Sequence, residues 1–431
     1  MKNICIIGAG HVGLVSGACF AELGNNVICV DDDDRKIEGL KKNVLPFYEP
    51  GLHEIVQQNV TRDRLSFTVS VEEGVDGCEI IFIAVGTPQK SDGEADLAQV
   101  ENVVRRISSV ARGYKLIVEK STVPIRTWEW ISKTISTNCI EGLDFEIASN
   151  PEFLREGSAI EDFIRPDRII LGVQSEKGAK LLSDLYQPLN APILVTDVST
   201  AELIKHASNS FLALKISYIN AVAAICDKTG ADVAKVAEGM GLDKRIGRSF
   251  LNAGIGYGGY CFPKDIAAFI KMAEELGYDF QLLKDVQSIN NSQRLQVVRK
   301  LREKLWNLKG KTVCVLGLSY KPDTDDMREA PAVNIIRELI EHGVKVKAFD
   351  PKAMEMAKTL LPGIEYCQDP YKAVTGCDAL LILTEWDEFK NLNLSRIKQL
   401  LKQPIIIDGR NIYDPRLMKE HGFIYIGMGR G

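Results

Sequence analysis

The sequence predicts an α/β protein with two doubly wound parallel-sheet domains, joined by a helical central domain that contains one long helix. Short apolar runs alternate with helical patterns in the first part of the chain and again in the last part. An uninterrupted helical pattern, 198–230, lies between them. The 431 residues are 45 % hydrophobic and 26 % charged. This composition is that of a globular protein, and the length suffices for two or three domains.

The N-terminal part contains four strand-like runs: KNICIIG, NNVICV, EIIFIAVGT and KLIVEKST. The first intervening helical pattern extends to about Leu23, and the second passes through Ile37 and Leu40. Strands that alternate with helices in this way form βαβ units and a parallel sheet buried on both faces. We therefore assign residues 1–197 to an N-terminal α/β domain.

The middle of the chain is expected to be helical. Ser199 followed by Glu202 is a capping-box pattern, which marks the start of a helix, and Gly230 is expected to end that helix. At 1.5 Å per residue the helix is about 40 Å long. This length is too great for a crossover between strands and favours a spacer or a subunit interface. Residues 198–307 are assigned to this central domain.

Strand-like runs restart after the helical region, in KTVCVLG, VKVKAFDP, ALLILTEW and PIIIDGR. Residues 308–431 are therefore assigned to a second α/β domain. The likeness between KNICIIGAG and KTVCVLGLS suggests a weak internal repeat, although two glycine-terminated strands could also match by chance.

Charge and cysteine content exclude several classes of protein. The net charge of −5 argues against nucleic acid or an anionic membrane as the main partner, but a local cluster of Lys and Arg still permits an anionic small molecule. No run approaches the ~20 apolar residues of a membrane span, and the first residues enter a strand directly. We expect a cytoplasmic protein without a signal peptide. The ten cysteines form no C-x-x-C pair, so neither a metal site nor a disulfide framework is expected.

A glycine-rich turn follows the first strand. Gly8, Gly10 and Gly13 form a G-x-G-x-x-G pattern that opens a helix. The first glycine permits a tight turn, the second lets the backbone approach a pyrophosphate, and the third brings the helix against the sheet. The helix N-terminus offers free N–H groups and partial positive charge to the phosphates. The pattern predicts a Rossmann-like domain that binds a dinucleotide.

Asp31 follows the second strand at the distance where such domains carry a ribose-binding acid. A carboxylate there accepts hydrogen bonds from both ribose hydroxyls and favours NAD over NADP. Asp32, Asp33 and Asp34 would repel a 2′-phosphate. Lys36 is a candidate contact for the ribose or its phosphate side. The alternative interpretation is that Asp31 only caps the following helix.

The segment 254–265, GIGYGGYCFPKD, is the most informative. Its glycines make a loop whose backbone can approach a ligand closely. Cys261 lies two residues before Pro263, which favours the first turn of a helix, so the thiol is expected at a helix N-terminus. The helix dipole and Lys264 would both lower the pKa of this thiol, and Asp265 would orient Lys264 or a water. The alternative is a buried, unreactive thiol, which we expect for the other nine cysteines.

A thiolate beside an NAD site suggests a specific reaction sequence. Hydride transfer from an alcohol gives an aldehyde, thiolate attack gives a thiohemiacetal, and a second hydride transfer gives a thioester that water hydrolyses. Glu152 and Glu156 are spaced to share one helical face and are candidates for acid–base roles. Lys205 and Asn209, one turn apart on the long helix, are candidates to stabilise an oxyanion. Taken separately, both pairs could instead be solvated helix faces.

Together these motifs resemble those of the nucleotide-sugar 6-dehydrogenases, the UDP-glucose/GDP-mannose dehydrogenase family. The resemblance covers nearly the whole chain, with signatures in the family's order: GAGHVGL, YEPGL, VGTP, KSTVP, NPEFLREGSAI, GYGGYCFPKD, YKPDTDDMREAP and DGRN. It implies two NAD-binding-type domains joined by a long dimerising helix. It also implies oxidation of a sugar C6 hydroxyl to a carboxylate, with two NAD+ reduced per sugar.

The resemblance assigns roles to individual residues. It implies catalytic roles for Cys261, Lys205, Asn209, Asp265, Thr122 and Glu152. It implies NAD contacts at Gly8, Gly10, Val12, Gly13, Asp31, Lys36, Thr87, Thr122, Glu156, Lys264 and Arg328. It implies nucleotide-sugar contacts at Glu152, Phe153, Leu154, Arg155, Glu156, Lys205, Asn209, Phe250, Leu251, Asn252, Ala253, Gly254, Gly258, Tyr320, Lys321 and Arg410. Arg245 resembles an arginine that reaches the sugar from the other subunit of a homodimer, and no metal is implied.

The match departs from the family pattern at two points. Ile125-Arg126-Thr127 follows KSTVP where relatives usually continue with a small residue, and we expect the side chain of Arg126 to point outward. His11 replaces a tyrosine that many relatives carry, which is a conservative exchange of planar side chains.

UDP-glucose is the favoured substrate, because RSFLNAGIGYGGYCFPKD and the closing YIGMGRG resemble the branch of the family that oxidises it. NPEFLREG disfavours the N-acetylhexosamine branch, and GDP-mannose or another nucleotide hexose is the alternative. Two other classes remain open. A two-electron hydroxy-acid dehydrogenase would need no thiol, and a non-catalytic sensor would bind NAD or a nucleotide sugar without producing NADH. The intact set of catalytic candidates argues against the sensor.

Overall fold

The structure is a computed structural model that describes residues 1–90 and 92–430. It divides into two compact units. Unit 1 comprises Met1–Ser208 and Ala267–Gly277, and unit 2 comprises Asn209–Ile266 and the chain from Tyr278 onward. Two sheets and a helical middle with one long helix are present, which confirms the predicted fold class.

Unit 1 contains an eight-stranded sheet. Its strands are β1 (Asn3–Ile7), β2 (Asn26–Val30), β3 (Leu65–Thr68), β4 (Ile80–Ile83), β5 (Gly113–Glu119), β6 (Leu143–Ser149), β7 (Ile169–Gly172) and β8 (Ile193–Thr196). Their order is β3-β2-β1-β4-β5-β6-β7-β8. Neighbours are parallel except β6 and β7, which pair antiparallel between Ser149 and Gly172. Because the strand order reverses between β1 and β4, the turns that leave these two strands diverge and open a crevice at their carboxyl ends.

Helices cover both faces of this sheet. They are α1 (His11–Glu22), α2 (Asp34–Lys41), α3 (Leu52–Thr61), α4 (Val71–Val75), α5 (Ala98–Val110), α6 (Thr127–Asn138), α7 (Ala159–Ile164) and α8 (Glu176–Tyr186), with a 3₁₀ turn at Gln187–Leu189. Alternate residues of β1 enter different cores. Ile4 and Ile6 pack in one cluster, and Cys5 and Ile7 pack in another. This double burial explains why β1 reads as a continuous apolar run rather than an alternating one.

The helical middle contains α9 (Val198–Thr229), α10 (Val233–Gly241), α11 (Cys261–Glu275) and α12 (Gln281–Leu305). Helix α9 starts and ends as predicted, with Gly230 at φ +73° immediately after it. The predicted capping box is wrong, because Asp197 takes that role and accepts the N–H of Thr200 at 2.9 Å. Ser199 instead accepts the indole N–H of Trp128 at 2.9 Å, and Glu202 accepts a backbone N–H at the start of α6.

By length and composition, α9 is the one helix among the described residues that could cross a membrane. The core helix of a globular protein has the same features. Within unit 1, its side chains Glu202, Lys205 and His206 are buried and form hydrogen bonds to protein groups. These polar contacts are typical of a helix packed in a protein core.

Unit 2 contains a six-stranded parallel sheet. Its elements are β9 (Thr312–Leu316), α13 (Pro331–Glu341), β10 (Lys345–Phe349), α14 (Met354–Leu360), β11 (Glu365–Tyr366), α15 (Pro370–Val374), β12 (Ala379–Ile382), α16 (Asp387–Lys390), α17 (Leu394–Leu400), β13 (Ile405–Asp408), α18 (Pro415–Glu420) and β14 (Ile424–Ile426). The strand order is β11-β10-β9-β12-β13-β14.

The weak internal repeat has a structural counterpart after β10. Asp350 follows β10 as Asp31 follows β2, and its carboxylate accepts the backbone N–H groups of Leu318 and Ser319. The indole of Trp386 also donates to this carboxylate, at 3.2 Å. Protein donors therefore surround Asp350, which is buried.

Candidate active site

The crevice beyond β1 and β4 is shaped for a dinucleotide. A Cβ atom added to Gly13 would lie 1.8 Å from the carbonyl oxygen of Gly8, so only glycine lets α1 approach the turn this closely. A Cβ atom added to Gly10 meets nothing within 4 Å. The backbone at Gly10 therefore faces open space at the N-terminus of α1, where a pyrophosphate would bind.

Asp31 lies in the wall of an open cleft of about 690 Å³. Its carboxylate accepts the N–H of Ala9 at 2.8 Å and that of Asp33 at 3.1 Å. Lys36 contacts both carboxylate oxygens, at 2.9 and 2.8 Å. The cap of α2 is Asp33, which excludes the alternative that Asp31 merely caps that helix. Arg106 also lines the cleft, and sequence reasoning missed it because α5 carries no local nucleotide motif.

Two polar contacts within unit 1 fix the backbone of the KSTVP segment. The hydroxyl of Thr87 donates to the carbonyl oxygen of Thr122 at 2.9 Å. The ring of His206 contacts the carbonyl oxygen of Val123 at 2.8 Å. Burial raises the pKa of Glu119 to about 8 and that of Glu202 to about 7, so both carboxyl groups retain protons at higher pH than usual.

Arg126 precedes α6 with φ +72°. Its side chain is exposed and pairs with Glu129 at 2.7 Å, which confirms that it points outward. Glu202 accepts the backbone N–H of Arg126 at 2.7 Å. The backbone of this residue is therefore fixed by a buried carboxylate while its guanidinium faces solvent.

A buried ion pair fixes the segment after β6. Lys205 Nζ lies 2.9 Å from Glu152 Oε1 and 2.6 Å from the carbonyl oxygen of the same residue. The side chains of Lys205 and Glu152 are only 5 % and 6 % exposed. Glu152 also accepts the N–H of Leu154 at 2.5 Å. The pair is therefore a built site rather than a solvated face.

The prediction that Glu152 and Glu156 share a helical face is wrong. The segment 151–157 is a loop, and α7 begins only at Ala159. Pro151 restricts the backbone of the residue before it and supplies no N–H, while Gly157 adopts φ +81°. The four-residue spacing of Glu152 and Glu156 does not place them on a helix, because Pro151 and Gly157 flank the segment.

Cations surround Phe153. The guanidinium of Arg168 lies 3.7 Å from the ring centroid, and Lys205 Nζ lies 5.3 Å from it. Lys120 is buried beside Asn150, whose side-chain oxygen accepts from Lys120 Nζ at 2.9 Å, and burial lowers the pKa of Lys120 to about 8. Sequence reasoning missed Arg168 and the position of Lys120.

Arg155, a predicted substrate contact, is exposed and pairs with Asp162.

In unit 2, Cys261 is the first residue of α11, as predicted. Asp265, one turn later, accepts from Asn209 Nδ2 at 2.6 Å and pairs with Lys264 Nζ at 2.8 Å. All three of these polar side chains are buried. The structure therefore brings together, in unit 2, three of the residues that the sequence placed around the thiol.

The remaining cysteines differ from Cys261 in their surroundings. All ten are thiols, and eight of the other nine are buried. Burial raises the pKa of the Cys19 and Cys29 thiols to about 12, which makes these groups unreactive. Cys139 is exposed, so the expectation that all nine are buried is wrong for this residue.

Buried amides fix the glycine loop before Cys261. Asn220 accepts the N–H of Gly254 at 2.8 Å, and Gln293 donates to the carbonyl oxygen of Gly254 at 2.8 Å. Asn290 makes both hydrogen bonds to the backbone of Tyr257. Asn220 and Asn290 both lie inside long helices, where Asn is disfavoured, and this is the sequence signal that hinted at their role.

Close packing makes two glycines of this loop indispensable. A Cβ atom on Gly258 would lie 2.3 Å from the carbonyl oxygen of Glu329, and one on Gly259 would lie 2.7 Å from the ring of Tyr320. Leu251 and Ala253 are buried in a separate small core. Ligand contacts predicted at these two positions would therefore come from the backbone.

The four cations of unit 2 that the resemblance assigns to the cofactor or the nucleotide sugar, apart from Lys264, occupy different settings. Arg410 is half-buried and donates to the carbonyl oxygens of Leu383, Gly256 and Tyr320. Lys321 Nζ lies 5.4 Å from the ring centroid of Tyr320. The remaining two are Arg328, which lies 4.3 Å from the ring of Tyr260, and Arg245, whose side chain is 89 % exposed.

Each unit thus carries one part of the predicted chemistry. Unit 1 has the dinucleotide cleft and the Lys205–Glu152 pair, and unit 2 has Cys261 and the cluster of Asn209, Asp265 and Lys264. Among the residues that the structure describes, no group of three or more His, Cys, Asp or Glu side chains could hold a metal ion.

Profiles of one family match most of the chain. The NAD binding domain of the UDP-glucose/GDP-mannose dehydrogenase family matches residues 2–190. The central domain of the same family matches residues 199–292, and its UDP binding domain matches residues 314–415.

Individual proteins are similar over the full length. A UDP-glucose 6-dehydrogenase of Bacillus subtilis (strain 168) is 48 % identical over 431 residues, which cover 100 % of this chain and 94 % of that protein. The structure of a UDP-glucose dehydrogenase from Pyrobaculum islandicum matches with a TM-score of 0.94 and 40 % identity, over 100 % of this chain and 98 % of the other. A GDP-mannose dehydrogenase from Pseudomonas aeruginosa matches with a TM-score of 0.56 and 28 % identity, over 99 % and 100 % of the two chains.

The two glycines of the dinucleotide turn should respond differently to alanine. Gly10→Ala adds a methyl group in open space at φ −77°, so the melting temperature should stay within about 2 °C of the wild type. The methyl group blocks pyrophosphate approach, so NADH affinity should fall at least about tenfold. Gly13→Ala should lower the melting temperature, because its methyl group collides with Gly8. Thermal denaturation and NADH fluorescence titration measure both effects; unchanged NADH affinity in Gly10→Ala would contradict the assignment.

Proposed function

The chain belongs to the UDP-glucose/GDP-mannose dehydrogenase family, and we propose that it oxidises the C6 hydroxyl of UDP-glucose to give UDP-glucuronate, with two NAD+ reduced per sugar. The observation that carries this proposal is the full-length similarity to UDP-glucose 6-dehydrogenases, near half of all positions. The matched region covers the whole chain and therefore includes every candidate catalytic residue. A two-electron hydroxy-acid dehydrogenase or a non-catalytic sensor would not need this set.

NAD fits the cleft in unit 1. The space at Gly10 admits a pyrophosphate, and Asp31 offers a carboxylate to the ribose. When bound, NAD+ accepts the hydride that leaves C6 in each oxidation. The acidic run Asp32 to Asp34 disfavours the additional phosphate of NADP.

Cys261 provides the covalent step. After the first oxidation, its Sγ forms a bond to the aldehyde carbon, and the carbonyl π electrons move to oxygen to give a thiohemiacetal. Loss of hydride from the same carbon then gives a thioester. Water adds to the thioester carbonyl, the carbon–sulfur bond breaks, and the carboxylate product leaves the thiolate behind. The N-terminal position of Cys261 on α11 favours the thiolate in both half-reactions.

Polar side chains provide the donors and the base that these steps require. Lys205 and Asn209 supply N–H donors for the oxyanion of the tetrahedral species. Glu152 is the base that takes a proton from the hydrolytic water, and its ion pair with Lys205 holds the carboxylate in place for that task. Asp265 orients Asn209 and Lys264, and Thr122 positions water near the reacting carbon.

The nucleotide sugar is assigned to the residues that the family resemblance names for it, and the loop 250–258 selects the base. The backbone of this loop is fixed by Asn220, Asn290 and Gln293, which gives it one shape rather than several. Arg410 and Lys321 supply positive charge for the pyrophosphate. The division into three domains at residues 197 and 307 is part of this proposal.

A homodimer through α9 is part of this proposal. Phe211, Tyr218 and Ile225 recur every seven residues on α9 and are 60 %, 52 % and 61 % exposed. Large apolar side chains in one exposed stripe mark an interaction surface. Arg245, which is exposed and pairs with the nearby Asp243, is the residue assigned to reach the partner's sugar. We place the enzyme in the cytoplasm, where UDP-glucose and NAD+ are available.

Stoichiometry tests the reaction. With limiting UDP-glucose and excess NAD+, the enzyme should yield two NADH per sugar, because the thioester route removes four electrons. Cys261→Ser should lower the steady-state rate of NADH formation at least about 10³-fold, since the weaker hydroxyl nucleophile replaces the thiolate. Absorbance at the NADH band measures both quantities.

Cys139→Ser is the matched control and should keep full activity, because Cys139 is exposed and lies on no predicted site. One NADH per sugar, turnover with GDP-mannose alone, or equal losses in the two cysteine variants would contradict the proposed function.

The dimer requires its own experiment. Replacing Phe211, Tyr218 and Ile225 together by serine should convert a dimer to a monomer, because the apolar area of the stripe no longer favours association. Light scattering coupled to size-exclusion chromatography measures the mass. Trp306→Ser, which removes a side chain 93 % exposed outside α9, should leave the mass unchanged. A triple variant that stays dimeric would overturn the interface.

A further inference from the structure

We propose that Glu49 is a positioning residue that couples cofactor binding to sugar binding within unit 1. The inference rests on the proposed function, which assigns the two ligands to the segments that Glu49 connects. Glu49 belongs to YEPGL, a signature to which neither the sequence nor the proposed reaction gives a role. Its side chain is fully buried.

Three contacts converge on the Glu49 carboxylate. Oε2 lies 2.8 Å from His11 Nε2 and accepts the N–H of Gly157 at 2.8 Å. Oε1 accepts the N–H of Ala159 at 2.9 Å. The Glu49 carboxylate thus joins two segments of the chain. His11 in the first and Gly157 in the second are 146 residues apart in sequence.

The first segment is the dinucleotide turn. His11 is the first residue of α1 and follows Gly10, where the pyrophosphate is assigned. The ring of His11 lies against Phe47, with ring centroids 5.0 Å apart. Glu49 and Phe47 therefore fix the His11 side chain at the helix end that the phosphates approach.

The second segment carries the sugar contacts. Gly157 directly follows Glu156, the residue assigned to both cofactor and substrate, and Ala159 begins α7. The Glu49 carboxylate satisfies the N–H groups at this helix start, where a negative charge is favourable. Any displacement of the segment on sugar binding therefore displaces the hydrogen-bond acceptor of His11.

This arrangement predicts mutual assistance between the two ligands. A bound cofactor that restricts the His11 side chain also restricts the Glu49 carboxylate. That carboxylate in turn holds the loop before α7 in position for the sugar. Coupling between two binding equilibria is reciprocal, so each ligand should raise the affinity for the other by the same factor. In the wild type this factor is expected to be about 5 or more.

Glu49→Gln tests the coupling without changing side-chain volume. Glutamine keeps one acceptor oxygen, but an NH2 group replaces the other oxygen. This NH2 group is a donor and cannot accept a hydrogen bond from a backbone N–H. Titration calorimetry with UDP-glucose, in the absence and presence of saturating NADH, measures the coupling factor without turnover. The factor should fall to about 1 in Glu49→Gln, while the Kd of each ligand alone changes less than about threefold.

His11→Phe is the second variant, in case Glu49→Gln does not fold. It keeps a planar ring against Phe47 and removes the contact with Glu49, so the coupling factor should fall in the same way. Glu54→Gln, an exposed change of the same charge in the adjacent helix α3, should keep the wild-type factor.

The outcomes separate this inference from the proposed function. Wild-type coupling in both Glu49→Gln and His11→Phe, or independent binding in the wild type, overturns the coupling role even where two NADH form per sugar. A wild type that shows the coupling but produces no NADH overturns the proposed reaction and supports the role of Glu49.

Discussion

The buried ion pair between Lys205 and Glu152 is the constraint on which the candidate site depends. Both side chains are almost fully removed from solvent, so each charge needs the other, and loss of one partner typically costs about 3–5 kcal/mol. The ammonium of Lys205 binds both the backbone carbonyl and the carboxylate of Glu152, which orients the two side chains relative to each other. The irregular segment after β6 is therefore fixed by charge at a point where no regular helix supports it.

A similar buried cluster lies on the helix that Cys261 begins. In unit 2, Asp265 is buried with Asn209 and Lys264, again as a carboxylate that meets an amide and an ammonium. Helix α9 contributes Lys205 to one constellation and Asn209 to the other. In the proposed reaction, a negative charge that develops near these groups meets donors that are already oriented, which lowers the reorganisation that the chemistry requires.

Local patterns predicted the parts of the structure that local physics determines. Gly8, Gly10 and Gly13 act through backbone contacts within one turn, and Cys261 begins its helix because Pro263 suits the first turn. Tertiary contacts decided the failures. Ser199 and Glu202 serve α6 instead of their own helix, since Trp128 and the N–H groups of α6 are their nearest partners. Glu49 and Arg168 were beyond sequence reasoning, because the contacts that define them join positions far apart in the chain.

The central claim is that Cys261 carries the substrate as a thioester that Glu152 helps water to hydrolyse. Acid quenching of Glu152→Gln during turnover, followed by mass spectrometry of the peptide that contains Cys261, tests this claim most directly. The account predicts a UDP-glucuronyl adduct on Cys261 that accumulates in Glu152→Gln and is present only briefly in rapidly quenched wild type. Complete oxidation of UDP-glucose without an adduct on Cys261 in either protein would contradict it.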